Sequence, residues 1–381
     1  MKIGIDVSSL PYQRGVSRYT SDLVRALAAE KNTELFLYGS SLRQHRLLAS
    51  ELRNTLKNIL PDKYQVQLDY FPPSVLDKIW RLGLLPIKNR FPEVEVFHSW
   101  DWLQPPDKKL PLVSTIHDLA IIKFPQVAHP QVLKMHQAAW LKLRQRQAHI
   151  IAVSQATKLD ILRYLEIPSQ RVHVVYEALP TQVATISQEL AKRPDLIAAI
   201  KQRLDLSRPY LFFVGTREPR KNLKRLIQAW LPLAKDYQLI IAGEESWDDS
   251  AKITTNPNLR FLGRVNDFEL AVLYHHAEAF VYPSLYEGFG LPILEAFSHG
   301  VPTIAADIPA LREVAGNAAT LVNPEDEQSI RQGIENTLNE NKAASDARMK
   351  KMIIRLHLFS WQKTAQSTLA VYQQAIADGH H

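Results

Sequence analysis

Cysteine is absent from all 381 residues. That excludes disulfides, a thiolate nucleophile and any Cys-based metal site, and it fits a reducing compartment. No stretch approaches the roughly 18 uninterrupted apolar residues that a membrane span needs. The opening MKIGIDVSSL runs straight into a strand pattern and leaves no room for a signal peptide. A cytoplasmic location is the expectation. Low-complexity segments and short-period repeats are missing, as is a full G-x-G-x-x-G fingerprint. His275 and His276 are adjacent on a predicted helix and face different directions, so neither reads as a metal ligand.

What is present describes a soluble globular protein: 46% hydrophobic and 22% charged residues. The length suits two domains better than one core. The net charge is +7, and it is unevenly spread. Residues 1–180 hold 24 Lys and Arg against 16 Asp and Glu, whereas the remainder holds 22 against 23. A basic first half suits an anionic partner, or serves solubility alone.

Short β-branched runs alternate with longer amphipathic stretches. Strands are predicted over 2–7, 95–99, 112–116, 149–153, 172–176, 210–214, 238–242, 259–262, 279–282, 303–305 and 319–322. Most are near-continuously apolar, as in parallel sheets buried on both faces. Helices between them imply βα repetition and doubly wound α/β sheets, and the strands are too many for one sheet. The pattern weakens over 181–208, read as a linker region with a polar helix over 188–204. This gives a first domain over 1–180, a second over 209–359, and a closing helix over 360–377 with Ser360 as N-cap that joins the first.

Each chemically loaded cluster lies just after a strand. Arg14-Gly15 follows the first, His117-Asp118 follows LVSTI, and GTREPRKN from Gly215 follows YLFFV. Gly243-Glu244-Glu245 follows LIIA, and Glu287 follows AFVYPS. Open parallel sheets bind ligands outside the carboxyl ends of their strands. In the stretch YPSLYEGFGLPILEA, Gly288 and Gly290 permit a sharp turn with exposed N–H groups. Pro292 suits the first turn of a helix, whose N-terminus favours an anion or sugar hydroxyls. Glu287 precedes that helix and Glu295 lies about one turn inside it, which separates two jobs for two carboxylates. An ordinary strand–turn–helix is the plain alternative.

EGFGLPILEA followed by GVPTIAADIPALREVAGNAATLVNP resembles the C-terminal signature of retaining family 4 glycosyltransferases, which have the GT-B fold. GVSRYTSDLVRAL, VSTIHDLA, IIAVSQATKLDIL, FVGTREPRKNL and FSWQKTAQSTLAVY fall in family order, so the likeness spans most of the chain. The resemblance implies two Rossmann-like domains facing across a cleft, with a nucleotide sugar as donor and no essential metal or cofactor. It implies that Lys221 and Arg220 offset the charge of the departing diphosphate, a transition-state effect. Similar enzymes carry Arg directly after the first Gly of this loop. Here Thr216 stands there and Arg217 follows, so either Arg217 or Arg220 joins Lys221.

By the same resemblance Glu295 holds the ribose, and Glu287 lies near the donor sugar and diphosphate. Amides of Gly288, Phe289, Gly290 and Leu291 meet sugar hydroxyls and phosphate, and Gly15 lets its loop close over the diphosphate. The base stacks near Arg264 and Val265, and His117 lies near the sugar's 6-hydroxyl. Asp118 is a supporting group or a helix cap. No carboxylate is clearly placed as a nucleophile, which favours front-face attack with retention. UDP-glucose is the expected donor and GDP-mannose the next.

A saccharide or lipid-linked saccharide is the expected acceptor. The segment LDKIWRLGLLPIKNRFP, residues 76–92, can lie on an anionic bilayer or pack as a core helix, and Pro86 shortens any helix there. A sugar-nucleotide epimerase, a phosphorylase and a non-enzymatic nucleotide-sugar-binding protein are the rivals. Nucleic-acid binding lacks a recognition module.

Overall fold

The computed structural model describes residues 1–12, 15–127, 129–244 and 255–379. The expected contributions of Arg14 and Glu245 lie outside the described residues. The chain forms two compact units, Met1–Glu177 with Ser360–His381, and Ala178–Phe359.

The first unit holds a seven-stranded sheet in the order β3-β2-β1-β4-β5-β6-β7. Its strands are β1 Lys2–Asp6, β2 Glu34–Ser40, β3 Tyr64–Asp69, β4 Val96–Ser99, β5 Leu112–Ile116, β6 His149–Ala152 and β7 Val172–Val174. Every pairing is parallel, with Ile3 opposite both Leu35 and Val96 at the centre. Strands β2 and β3 were not anticipated. β3 reads YQVQLD, polar at alternate positions, because it is an edge strand with one neighbour.

Helices flank both faces. On one face α1, Gly15–Ala29, packs Leu23, Val24 and Leu27 into a cluster with Ile3, Ile5 and Leu37. On the other, Leu76 and Trp80 of α2, Pro73–Arg81, and Ile87 of α3, Ile87–Arg90, join Phe36, Phe97 and Trp140. The segment 76–92 is thus mainly a core element: Leu76, Trp80, Ile87 and Phe91 are buried. Only the turn between the helices offers apolar surface, with Leu82 75% and Leu84 56% exposed.

The second unit opens with α4, Thr181–Ala191, and α5, Pro194–Arg203. The stretch read as a linker with one polar helix over 188–204 is therefore two helices of this unit, broken at Arg193 because Pro194 restricts the residue before it. Six parallel strands follow in the order β10-β9-β8-β11-β12-β13. They are β8 Tyr210–Val214, β9 Gln238–Ala242, β10 Leu259–Gly263, β11 Ala279–Tyr282, β12 Thr303–Ala306 and β13 Thr320–Val322. The site depends on three helices: α6 Leu223–Trp230, α7 Asp267–His275 and α8 Leu291–Ser298. α7 starts at a capping box, with Glu269 N donating to Asn266 Oδ1 and Asn266 N to Glu269 Oε2.

The chain then returns to the first unit as α9, Trp361–Gly379. Its Ala365, Val371, Tyr372 and Ala375 are buried in the cluster that α1 also covers. Lys363 N donates to Ser360 Oγ at 3.3 Å, as expected of an N-cap. Among the described residues no helix is long and apolar enough to cross a membrane.

Candidate active site

Each sheet has a point where strand order reverses, and each gathers its polar side chains there. In the second unit that point lies between β8 and β11. The loop after β8 is Gly215 to Lys221, and the loop after β11 carries Glu287. They are tied by Leu285 N donating to the Arg220 carbonyl at 2.7 Å. Asn222 anchors the corner, donating to the carbonyls of Pro283 at 2.9 Å and Pro324 at 2.6 Å.

Lys221 and Arg220 do not lie in an α-helix of any length. They occupy a single 3-10 turn, Pro219–Lys221, and α6 begins only after Asn222, whose φ of 61° is left-handed and interrupts the helix. This turn aims both cations at Glu287. Lys221 Nζ donates to Glu287 Oε1 at 2.6 Å and to Tyr282 Oη at 2.7 Å. Arg220 donates to Glu287 Oε2 at 2.9 Å and to the Tyr286 carbonyl at 3.2 Å, and pairs with Glu218 at 2.8 Å.

Lys221 and Glu287 are buried, 6% and 8% exposed. Burial works to raise the Glu287 pKa, but the Lys221 and Arg220 charges overcome it and hold the carboxyl at about 2. Burial pulls Lys221 below the ordinary lysine range, with Glu287 opposing. The cluster is thus a fixed arrangement in which two cations share Glu287 and Arg220 also holds Glu218.

Among the described contacts Arg217 is held elsewhere. Its guanidinium lies over the Phe261 ring at 4.8 Å from the centroid, and its backbone N–H donates to the Glu244 carbonyl at 3.0 Å. Thr216 is exposed. Arg264 lies 3.7 Å from Glu244, both largely exposed, and Val265 is half-buried. Gly215 and Gly243 are pressed together: a Cβ on Gly243, φ +137°, would lie 2.0 Å from the Gly215 carbonyl oxygen.

The turn from Gly288 to Leu291 leads into α8. Gly288, Phe289 and Gly290 are buried and Leu291 is half-buried. Gly290 has φ +118°, and a Cβ there would sit 2.6 Å from Leu311 Cδ2, so only glycine fits. The Phe289 ring packs edge-on against Phe359 at 5.5 Å. Glu295 is buried on α8 and accepts from Tyr274 Oη at 3.0 Å.

In the first unit, strand order reverses between β1 and β4. A recess there is lined by Asp6, Tyr19, Ser99, Trp100, Asp101 and His117, among others. His117 follows β5, and its Nδ1 lies 2.6 Å from Glu177 Oε1. Asp118 Oδ1 accepts from Ala120 N at 2.8 Å, the helix-start role allowed for it. Gly15 is the first residue of α1, and a Cβ there would meet no atom within 4 Å.

The sequence pointed to His117, Lys221, Arg220, Glu287 and Glu295. It missed the groups that hold them: Glu177, Tyr282 and Tyr274. Tyr282 stood inside the quoted stretch as the last residue of β11, where a strand-end hydroxyl could have been suspected. Glu177 and Tyr274 carried no local signal.

A family model described as Glycosyltransferase Family 4 matches residues 13–183, and one described as Glycosyl transferases group 1 matches 197–353. The chain is 32% identical over 274 residues to O-antigen chain mannosyltransferase B of Escherichia coli, covering 68% of this chain and 70% of that one. It is 30% identical over 233 residues to the serotype-specific mannosyltransferase WbdA of Escherichia coli, and the match spans 58% of this chain but 28% of that longer relative. Sucrose-phosphate synthase of Thermosynechococcus elongatus superposes with a TM-score of 0.69 at 20% identity, covering 99% and 100% of the two chains.

Proposed function

The chain belongs to glycosyltransferase family 4, and on that premise we propose that it moves mannose from GDP-mannose to a saccharide or lipid-linked saccharide during polysaccharide assembly. The Lys221–Arg220–Glu287 cluster at the ends of β8 and β11 carries the reading. Two cations fixed on Glu287, in the loop that leads to α8, suit a diphosphate, and charge developing on the leaving phosphate is best met by fixed donors. Mannose replaces the UDP-glucose expectation because both curated relatives named above are mannosyltransferases.

In the reaction the bond from sugar C1 to the β-phosphate oxygen breaks as a new bond forms from C1 to the acceptor hydroxyl oxygen. The hydroxyl proton passes to the departing phosphate oxygen. Attack comes from the face the diphosphate leaves, so configuration is retained. Lys221 and Arg220 meet the charge that a metal would otherwise offset, Glu295 holds the ribose, and His117 meets the sugar ring. Rate then comes from positioning and electrostatics rather than from a side-chain base.

The test is a panel of UDP- and GDP-sugars with and without EDTA, following nucleotide release, acceptor extension and the anomeric configuration of the product. GDP-mannose turnover that survives EDTA and gives an α-linked product is the expected result. Turnover of UDP-glucose alone would restore the first expectation, and failure to bind any sugar nucleotide would remove the reading. The exposed Leu82 and Leu84, with Lys78 and Arg81 close by in sequence, are proposed to touch an anionic bilayer. Co-flotation with anionic vesicles that Leu82→Ser and Leu84→Ser leave unchanged would dismiss that contact.

A further inference from the structure

His117 and Glu177 stand 60 residues apart in sequence and meet at 2.6 Å. Their strands explain how. His117 follows β5, Glu177 lies just past β7, and β6 runs between them. Two strand spacings are about 10 Å, which a Glu and a His side chain together can span. The Glu177 segment is fastened at two points. Val175 N donates to the Ala152 carbonyl at 3.0 Å, and Thr364 Oγ1 of α9 donates to the Tyr176 carbonyl at 2.8 Å. Glu177 itself is 4% exposed. A second contact holds the imidazole: the Tyr19 ring meets it edge-on at 4.8 Å, and the Tyr19 hydroxyl is in turn bonded to Thr115 Oγ1 at 3.1 Å.

We propose that Glu177 is a positioning residue for sugar transfer, fixing the orientation of the His117 ring and keeping its proton on Nδ1. Bonding at Nδ1 turns the far nitrogen, Nε2, away from the carboxylate and leaves it for a sugar hydroxyl in the recess. An imidazole without such a partner can flip about its ring bond and exchange its nitrogens for carbons. A carboxylate bonded to one ring nitrogen is the common device for preventing this.

The charges around His117 agree with the geometry. Burial works to lower its pKa, but the Glu177 bond and the Glu177, Asp101 and Asp118 charges raise it overall. His98, which faces the same recess, is held neutral by burial and the His117 charge, at about 3.

The inference rests on the His117 role given above, and the experiment separates the two. Full-length His117→Ala, Glu177→Ala, Glu177→Gln and the double Ala variant are assayed with GDP-mannose and acceptor. Glu177→Ala is expected to lower kcat about 10- to 100-fold with little change in the donor KM, as expected of a misaligned group. Glu177→Gln keeps a hydrogen bond without the charge, so it should lose less and move the imidazole limb of the pH profile to lower pH. The double variant should be no worse than His117→Ala. Additive losses, or wild-type kinetics in both Glu177 variants, would overturn the proposal while sparing the function. Wild-type activity in His117→Ala would remove the role of His117 and this inference with it. Should Glu177→Ala fail to fold, nitrogen NMR of the wild-type imidazole decides: a proton on Nε2 alone refutes the proposal.

Discussion

Replacing Glu287 with Gln keeps its shape and removes one charge. The carboxyl titrates at about 2 instead of the ordinary 4.5. At about 1.4 kcal/mol per unit, its ionised state contributes roughly 3 kcal/mol at neutral pH. The variant should lose at least about that much, because Lys221 then stays buried without its main counter-charge and Arg220, half-buried, keeps Glu218. For a unit of this size that is roughly 6–12 °C in Tm. The sign of the pH dependence is fixed. A carboxylate depressed on folding stabilises above its unfolded pKa and loses that contribution as pH falls through its folded pKa. The gap between wild type and Glu287→Gln should therefore be full at pH 7, begin to shrink below 4.5, and fall to roughly half by pH 3. Calorimetry reads it, using the transition that added nucleotide shifts upward. A gap that stays constant from pH 7 to pH 3, or a variant as stable as wild type at pH 7, would refute the reasoning.

Three further outcomes are expected. Glu295→Gln should raise the donor KM about 10- to 100-fold with a smaller effect on kcat, the usual worth of a charge-assisted hydrogen bond; equal losses in both would place Glu295 at the reacting end instead. Gly243→Ala should destabilise by about 3 kcal/mol or more, since its Cβ would lie 2.0 Å from the Gly215 carbonyl oxygen, whereas Gly15→Ala meets no atom within 4 Å and should melt like wild type. His98, buried between Tyr372 and Thr115, has its pKa pushed down to about 3 by burial. Its neutral form stabilises fully above the unfolded value near 6.5 and loses on the order of 3 kcal/mol by pH 4, so urea midpoints of His98→Asn should fall less steeply with acid than those of wild type.

Much of the fold was legible because buried parallel strands are near-continuous apolar runs. YLFFV, LVSTI and LIIA announced β8, β5 and β9 without help from their neighbours. β3 failed that test because an edge strand keeps one face in water and reads as polar alternation. The polar helix read over 188–204 caught α5 but ran through the break at Arg193, and α4 was missed because a half-exposed helix looks like a linker until its packing is seen. The site divides the same way. Glu287, Glu295 and Lys221 sit in strand-end loops whose glycines and prolines mark special backbone. Where the two arginines rest was not legible: the left-handed Asn222 closes the 3-10 turn that carries Arg220 to Glu287, while Phe261, 44 residues further on, lies under Arg217. Tyr274 and Glu177 depend on long-range contacts that no local pattern encodes.

The helix α9 has a consequence for biosynthesis. Its Ala365, Val371, Tyr372 and Ala375 complete the core that β1, β2 and α1 begin. On the ribosome those residues emerge only after all of 178–359. The half of the protein made first is therefore the half that finishes last, with an apolar face uncovered while the other half is translated. A nascent chain stalled before residue 361 should offer that face to chaperones, and release of the last helix should end the binding.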